Sequence, residues 1–287
     1  MGDKVQKAIQ ARILTMLEEG TVPWRRTWNS QSGAAKNIVT NRYYRGGNYF
    51  ILNCQGYDSP YWMTFKQAKT YGGYVRKGEK STPITVWRPI KPKEDEEEPE
   101  NGYRRGYFGM ALVFNLCQTE DVKVPKREED IVKKYDNDPI ENCEQILAEM
   151  KEPAPIIWGM KPCYIPSKDK IGMPPIDQFK TAGDYYDAYF HEVAHSTKAM
   201  QRMNRTNHSY AKEELIAEMS SCFLCGMAGI DQTLIDNQAS YIQSWVKRIK
   251  GEDVKMIVQA ASEAQKVSDW LLNINEFTEM KDAKNVA

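Results

Sequence analysis

Apolar residues recur at helical spacing near the start of the chain: Val5, Ile9, Ile13 and Leu17 fall four apart, and Leu14 widens the stripe. Gly20 and Pro23 then end the pattern, which predicts an amphipathic helix over 4–19. From Trp24 to Trp87 the pattern breaks into short pieces. Of these 64 residues 13 are aromatic, the apolar runs Tyr49–Asn53 and Ile84–Trp87 are brief, and only Thr64–Tyr71 offers a helix. Ile84–Pro89 and Phe108–Leu116 read as the strands of a hairpin whose solvated tip carries the acidic run 94–100 and Asn101-Gly102. Residues 121–140 are charged, Pro-punctuated and aperiodic, which places a domain boundary near 125. Beyond it Ile140–Met150 reads as a helix, and Ile156–Trp158 and Cys163–Ile165 as short strands. Thr181–Met200, Ser209–Ala228, Ala239–Lys250 and Asp253–Leu272 read as further helices. The expected fold class is α+β: a small mixed α/β domain over 1–125, then a mainly helical domain over 126–287.

Composition narrows the class. Hydrophobic residues at 41% and charged residues at 27% are those of a soluble globular chain. No run approaches the 18 apolar residues of a membrane span, and no basic segment precedes an apolar leader, so the expected setting is the cytoplasm, away from membranes. Six scattered cysteines read as reduced thiols rather than a disulfide framework, with Cys222 and Cys225 expected as buried thiols on a helix. The net charge of zero hides an asymmetry: residues 1–125 carry +6 and the remainder −6. Two units with different partners are expected.

The densest chemistry lies in Phe190-His191-Glu192-Val193-Ala194-His195. On a helix, residues four apart share a face, so both imidazoles reach one tetrahedral cation such as zinc. Glu192 beside them is the candidate general base for a metal-polarised water. A catalytic zinc needs a third protein ligand, and the helix starting near Tyr210 supplies Glu213, Glu214 and Glu218. Glu213 also suits the helix dipole there. Glu214 and Glu218 lie one turn apart. The preferred reading makes Glu214 the ligand and Glu218 its supporter on a histidine, with the reverse assignment open. His208, in a polar loop, is the lesser candidate.

The front half interleaves cations, rings and glycines in 41–48, 59–66 and 72–80. Cations attract a phosphate backbone by counterion release, and exposed rings stack on unpaired bases. A sequence-tolerant single-stranded DNA groove is therefore expected from Arg42, Tyr44, Arg45, Asn48, Trp62, Lys66, Arg76, Lys77 and Lys80. The competing reading makes these rings a core and these cations an ordinary surface.

Specific matches in the right order run through nearly the whole chain: Pro23-Trp24, 44–48, 56–60, 62–68 and 72–80 in front, then Met173-Pro174-Pro175, 190–195, 210–218 and 264–266. In these the chain resembles the ArdC-type antirestriction proteins of conjugative plasmids and related mobile elements. It departs from the family at 195–199 and in the acidic insertion 94–100. The resemblance implies a single-stranded-DNA-binding domain joined to a zincin-like metallopeptidase domain, and protection of incoming DNA from host restriction; on the enzyme reading, DNA binding delivers the chain to a protein substrate that the zinc site cleaves. The alternative is a pure single-strand-shielding protein whose zinc site is structural or vestigial.

Overall fold

A computed structural model describes residues 2–20, 22, 35–53, 55–89, 106–125, 139–205, 208–230, 239–250 and 255–274. Helix α1 (Gly2–Glu18) is followed by β1 (Lys36–Asn37), α2 (Gly46–Asn53), β2 (Tyr61–Thr64), α3 (Phe65–Thr70), β3 (Tyr74–Val75), β4 (Thr82–Pro89), β5 (Gly106–Asn115) and β6 (Thr119–Glu120). Four strands form a sheet in the order β1-β2-β5-β4, antiparallel except for β1 on β2, and β3 pairs with β6. The expected hairpin is the β4–β5 pair, with Trp87 opposite Phe108. Its acidic tip and Asn101-Gly102 lie outside the described residues, as do Pro23 and Trp24. Helix α3 begins where Thr64 and Gln67 close a reciprocal cap, each side chain bonding the other's backbone amide. The apolar run Tyr49–Asn53 makes up most of α2, a second helix in the stretch where the sequence offers only Thr64–Tyr71.

The second half holds α4 (Pro139–Glu149), β7 (Ile156–Trp158), β8 (Cys163–Ile165), β9 (Lys170–Met173), α5 (Ala182–Ser196), α6 (Tyr210–Ala228), α7 (Ala239–Lys250) and α8 (Met256–Leu271). Strand β9, which periodicity left unread, sits between β7 and β8 and leaves β8 on an edge. Helix α5 stops at Ser196, one turn before the predicted end. The Thr197 hydroxyl and the Arg205 guanidinium both donate to the Ala194 carbonyl, at 2.6 and 3.0 Å, and the chain turns away there. Helix α6 is buried almost all round, between α5 and α8, and Gly229 ends it in the left-handed conformation (φ 85°) that glycine adopts without strain. Cys222 and Cys225 are buried within it, as expected.

The principal core takes residues from both sides of position 125. Ile9, Ile13 and Leu17 of α1 and Tyr49, Phe50 and Ile51 of α2 pack into one cluster with α5, α6 and α8. The sheet's own clusters are small ones around Trp62 and Met63. Together the two halves make an α+β fold.

Candidate metal centre

Helix α5 begins at a reciprocal Thr181–Asp184 cap and buries Tyr185, Tyr186, Tyr189, Phe190, Val193 and Ala194. That packing leaves His191 and His195 together on the remaining face, with their Nε2 atoms 3.1 Å apart. Two nitrogens on one tetrahedral ion at zinc–imidazole bond lengths stand about 3.3 Å apart, so the pair fits a shared metal. Helix α6, capped by the Ser209 hydroxyl, brings Glu214 to them: its oxygens lie 3.5 Å from His195 Nε2 and 3.9 Å from His191 Nε2. His191, His195 and Glu214 thus offer ligand atoms within 4.8 Å of one another.

The other face of each imidazole meets a different carboxylate. Glu218 stands 3.5 Å from His191 Nδ1, and Glu213 stands 3.1 Å from His195 Nδ1. Burial disfavours charge on His191, but Glu218, Glu192 and Glu214 outweigh it and lift its pKa to about 9. Burial likewise raises the Glu213 carboxyl, yet His195 and Arg205 together hold it below its ordinary 4.5. The sequence reading assigns Glu213 to the helix dipole alone and does not reach Arg205. A glutamate in the first turn of a helix is explained well enough by the dipole, and nothing in its spacing announces an arginine eight residues back.

Glu192 is buried, and its Oε2 accepts a hydrogen bond from the Tyr164 amide of β8 at 2.7 Å. The edge strand therefore runs directly over the general-base candidate. Next to Tyr164 opens a cavity of about 480 Å³ lined by Asp169, Lys198, Met200, Arg205, His208 and Glu213, and neither Glu192 nor the three clustered ligands are among its lining residues. His208 is thus a wall of the cleft, and it is not among the three clustered ligands.

The nucleic-acid candidates divide. Arg42, Lys66, Arg76, Lys77 and Lys80 are exposed, with Arg76 also bonded to Glu79 and to the Cys117 carbonyl. Trp62 is corrected: at 2% exposure it is the centre of a core cluster, because its side of β2 faces α2 and the apolar side of β5. Asn48 is corrected too, since its amide bonds both the Thr85 carbonyl and amide, at 2.6 and 2.8 Å, and so fastens α2 to the edge of β4. Arg45 is ion-paired with Asp269 of α8. Tyr44 is half-buried against the Trp62 cluster, its hydroxyl accepting from Asn37. Its neighbour Tyr43 is instead 59% exposed, and the Lys36 ammonium lies 5.9 Å from that ring and 4.8 Å from the ring of Tyr61.

Residues 3–132 match the family described as the N-terminal domain of anti-restriction factor ArdC, and residues 141–263 match a zincin-like metallopeptidase. The chain is 33% identical to a DNA primase TraC of Escherichia coli over 92% of its own length, but spans only 26% of that protein. It is 27% identical to the uncharacterized protein y4eC of Sinorhizobium fredii (strain NBRC 101917 / NGR234), covering 93% of this chain and 91% of that one. Among solved structures, the antirestriction protein ArdC of plasmid R388 in its Mn(II)-bound form aligns with a TM-score of 0.68 at 30% identity, covering 98% of this chain and 99% of that one. Its metal-free form aligns equally well, at 31% identity. Two domain matches in sequence and an end-to-end match in structure place this chain in the ArdC antirestriction family.

Proposed function

We propose that this chain binds single-stranded DNA through its front half and hydrolyses a protein substrate at a zinc centre in its back half, protecting incoming DNA from restriction. The convergence of His191, His195 and Glu214 beside the buried Glu192 carries this reading. Those three residues would hold the ion. A divalent cation there supplies a Lewis acid that polarises a carbonyl and acidifies water. Glu192 takes the proton from the attacking water and passes it to the leaving amine. The Tyr164 amide orients that carboxylate through one oxygen and leaves the other for the proton. The cavity lined by Tyr164 and Glu213, which touch Glu192 and His195 respectively, takes a side chain flanking the scissile bond.

A second reading makes the metal structural and the protein a strand-shielding one, its function carried by the exposed cations Arg42, Lys66, Lys77 and Lys80 of the front half. Glu192→Gln separates them, because it removes the base and keeps every ligand. Under the peptidase reading the variant retains about one metal per chain, as a three-ligand site requires, and loses antirestriction in a plasmid-transfer assay into a restricting host. Full protection by Glu192→Gln would leave only the shielding reading.

A further inference from the structure

The Arg205 guanidinium is buried, and four of its hydrogen bonds tie together the two helices that carry the metal ligands. Its Nε donates to Thr197 Oγ1 at 2.9 Å and its Nη2 to the Ala194 carbonyl at 3.0 Å, which secures the last turn of α5 beside His195. Its Nη1 and Nη2 grip both oxygens of Glu213 at 3.0 Å, which secures the first turn of α6 next to Glu214. Glu213 Oε1 is also the atom 3.1 Å from His195 Nδ1, so one oxygen serves guanidinium and imidazole together.

We propose that Arg205 is a positioning residue for the metal: by fixing Glu213 it holds the proton of His195 on Nδ1 and aims Nε2 at the ion. This rests on the metal-centre reading above. The planar fork is what the task needs. A carboxylate held at both oxygens cannot rotate, so the imidazole bonded to it keeps one tautomer and one orientation. A lysine supplies the charge without the fork and cannot reach four acceptors at once. Arg205 also sets the distance between His195 and Glu214, because its two pairs of bonds lie on different helices.

The test uses the full chain and bare metal ions. Mn(II) and Zn(II) affinities are measured by titration calorimetry, the visible spectrum of the Co(II) form is recorded, and the metal-free protein is melted. Arg205→Lys is expected to weaken metal binding on the order of 10–100-fold, as loss of a partner behind a ligand histidine does, and to shift the Co(II) bands. Glu213→Gln keeps the side-chain shape, reports on the same link should the lysine variant fail to fold, and is expected to lose affinity to a similar degree. Metal affinity and Co(II) spectrum unchanged in a folded variant, with only the melting temperature lowered, would reduce Arg205 to a structural tie and overturn the proposal. Absence of metal binding by the unsubstituted chain would instead overturn the metal centre itself.

Discussion

Two adjacent pairs of aromatic residues, Tyr43-Tyr44 and Tyr61-Trp62, show how a one-residue step divides surface from core. Successive side chains of a strand point to opposite faces, so when Trp62 fills the cluster under α2, Tyr61 faces the other way. Tyr43 pairs with Lys36 in an isolated bridge and stays in solvent, while Tyr44 folds back on the Trp62 cluster. An exposed ring with an ammonium beside it is a platform for an unpaired base; a ring at 2% exposure is not. Trp62→Ala is therefore expected to cost about 3–5 kcal/mol of stability through the cavity it leaves. Tyr43→Ala should leave the melting temperature alone and cost roughly 1–3 kcal/mol of single-strand affinity. Paired melting curves and mobility-shift titrations measure both, and a Tyr43→Ala protein with undiminished DNA binding would remove this ring from the interface. The mixture of rings and cations was legible in the sequence, but not the phase that sorts them. Tyr61-Trp62 lies in a strand of only four residues and Tyr43-Tyr44 in none, Tyr43 forming just an isolated bridge, so alternation has too little chain to set it.

Among elements, legibility followed the reach of the interactions. The i, i+4 histidine pair is visible because its geometry is internal to one helix, and α6 is visible because its apolar run is long. The small sheet was half seen: β9 reads Lys170-Ile-Gly-Met173, four residues whose strand character comes from two neighbours and not from its own pattern. The same holds for the turn that joins β8 to β9. Asp169, at φ 49°, accepts from Arg202 at 2.6 and 3.0 Å, from Gln201 at 2.7 Å and from the Tyr164 hydroxyl at 2.9 Å. These bonds pin the edge strand to the segment after α5, and with it the Tyr164 amide over Glu192. The Arg202 guanidinium beside Asp169 holds its carboxyl below the ordinary 3.8, against the opposing effect of burial. A depressed carboxylate contributes stability that is full above its unfolded pKa and is lost as pH falls through the lower, folded one. Asp169→Asn should therefore melt a few degrees below the unsubstituted protein at neutral pH, and the gap should close as pH falls below 3.8. A gap independent of pH would show that charge at Asp169 is not what holds the turn.

At the scale of the whole molecule, the chain behaves as one packed body despite carrying two family domains. Tyr49 and Phe50 of α2 meet Phe223 of α6 with ring centroids 4.6 and 4.8 Å apart. Gly46 and Gly47 let the start of α2 lie on α8: a Cβ at Gly47 would stand 3.2 Å from Val258 Cγ1, and Gly46 has φ +54°. The glycines of the Tyr44-Arg45-Gly46-Gly47-Asn48 stretch thus serve helix docking, and Arg45 seals the joint on Asp269. Six large side chains of α1 and α2 end in the shared core: Ile9, Ile13, Leu17, Tyr49, Phe50 and Ile51. Burial of each contributes about 1.5–3 kcal/mol, so losing all six removes roughly 9–18 kcal/mol. The whole stability of a typical domain is about 5–15 kcal/mol. Residues 1–125 expressed alone should accordingly melt without a cooperative transition, bind an apolar dye and hold single-stranded DNA far more weakly than the full chain. Mixing them with residues 126–287 should restore a cooperative transition and the affinity, because the missing faces of α1 and α2 are then covered. Calorimetry and a salt series of DNA titrations on the fragment, the mixture and the full chain make the comparison, with the full chain expected to lose about 0.7 log units of affinity per contacted phosphate for each log unit of salt. A fragment that melts cooperatively and binds DNA as tightly as the full chain would show that the two halves only touch, and that α1 and α2 find enough core in the sheet alone.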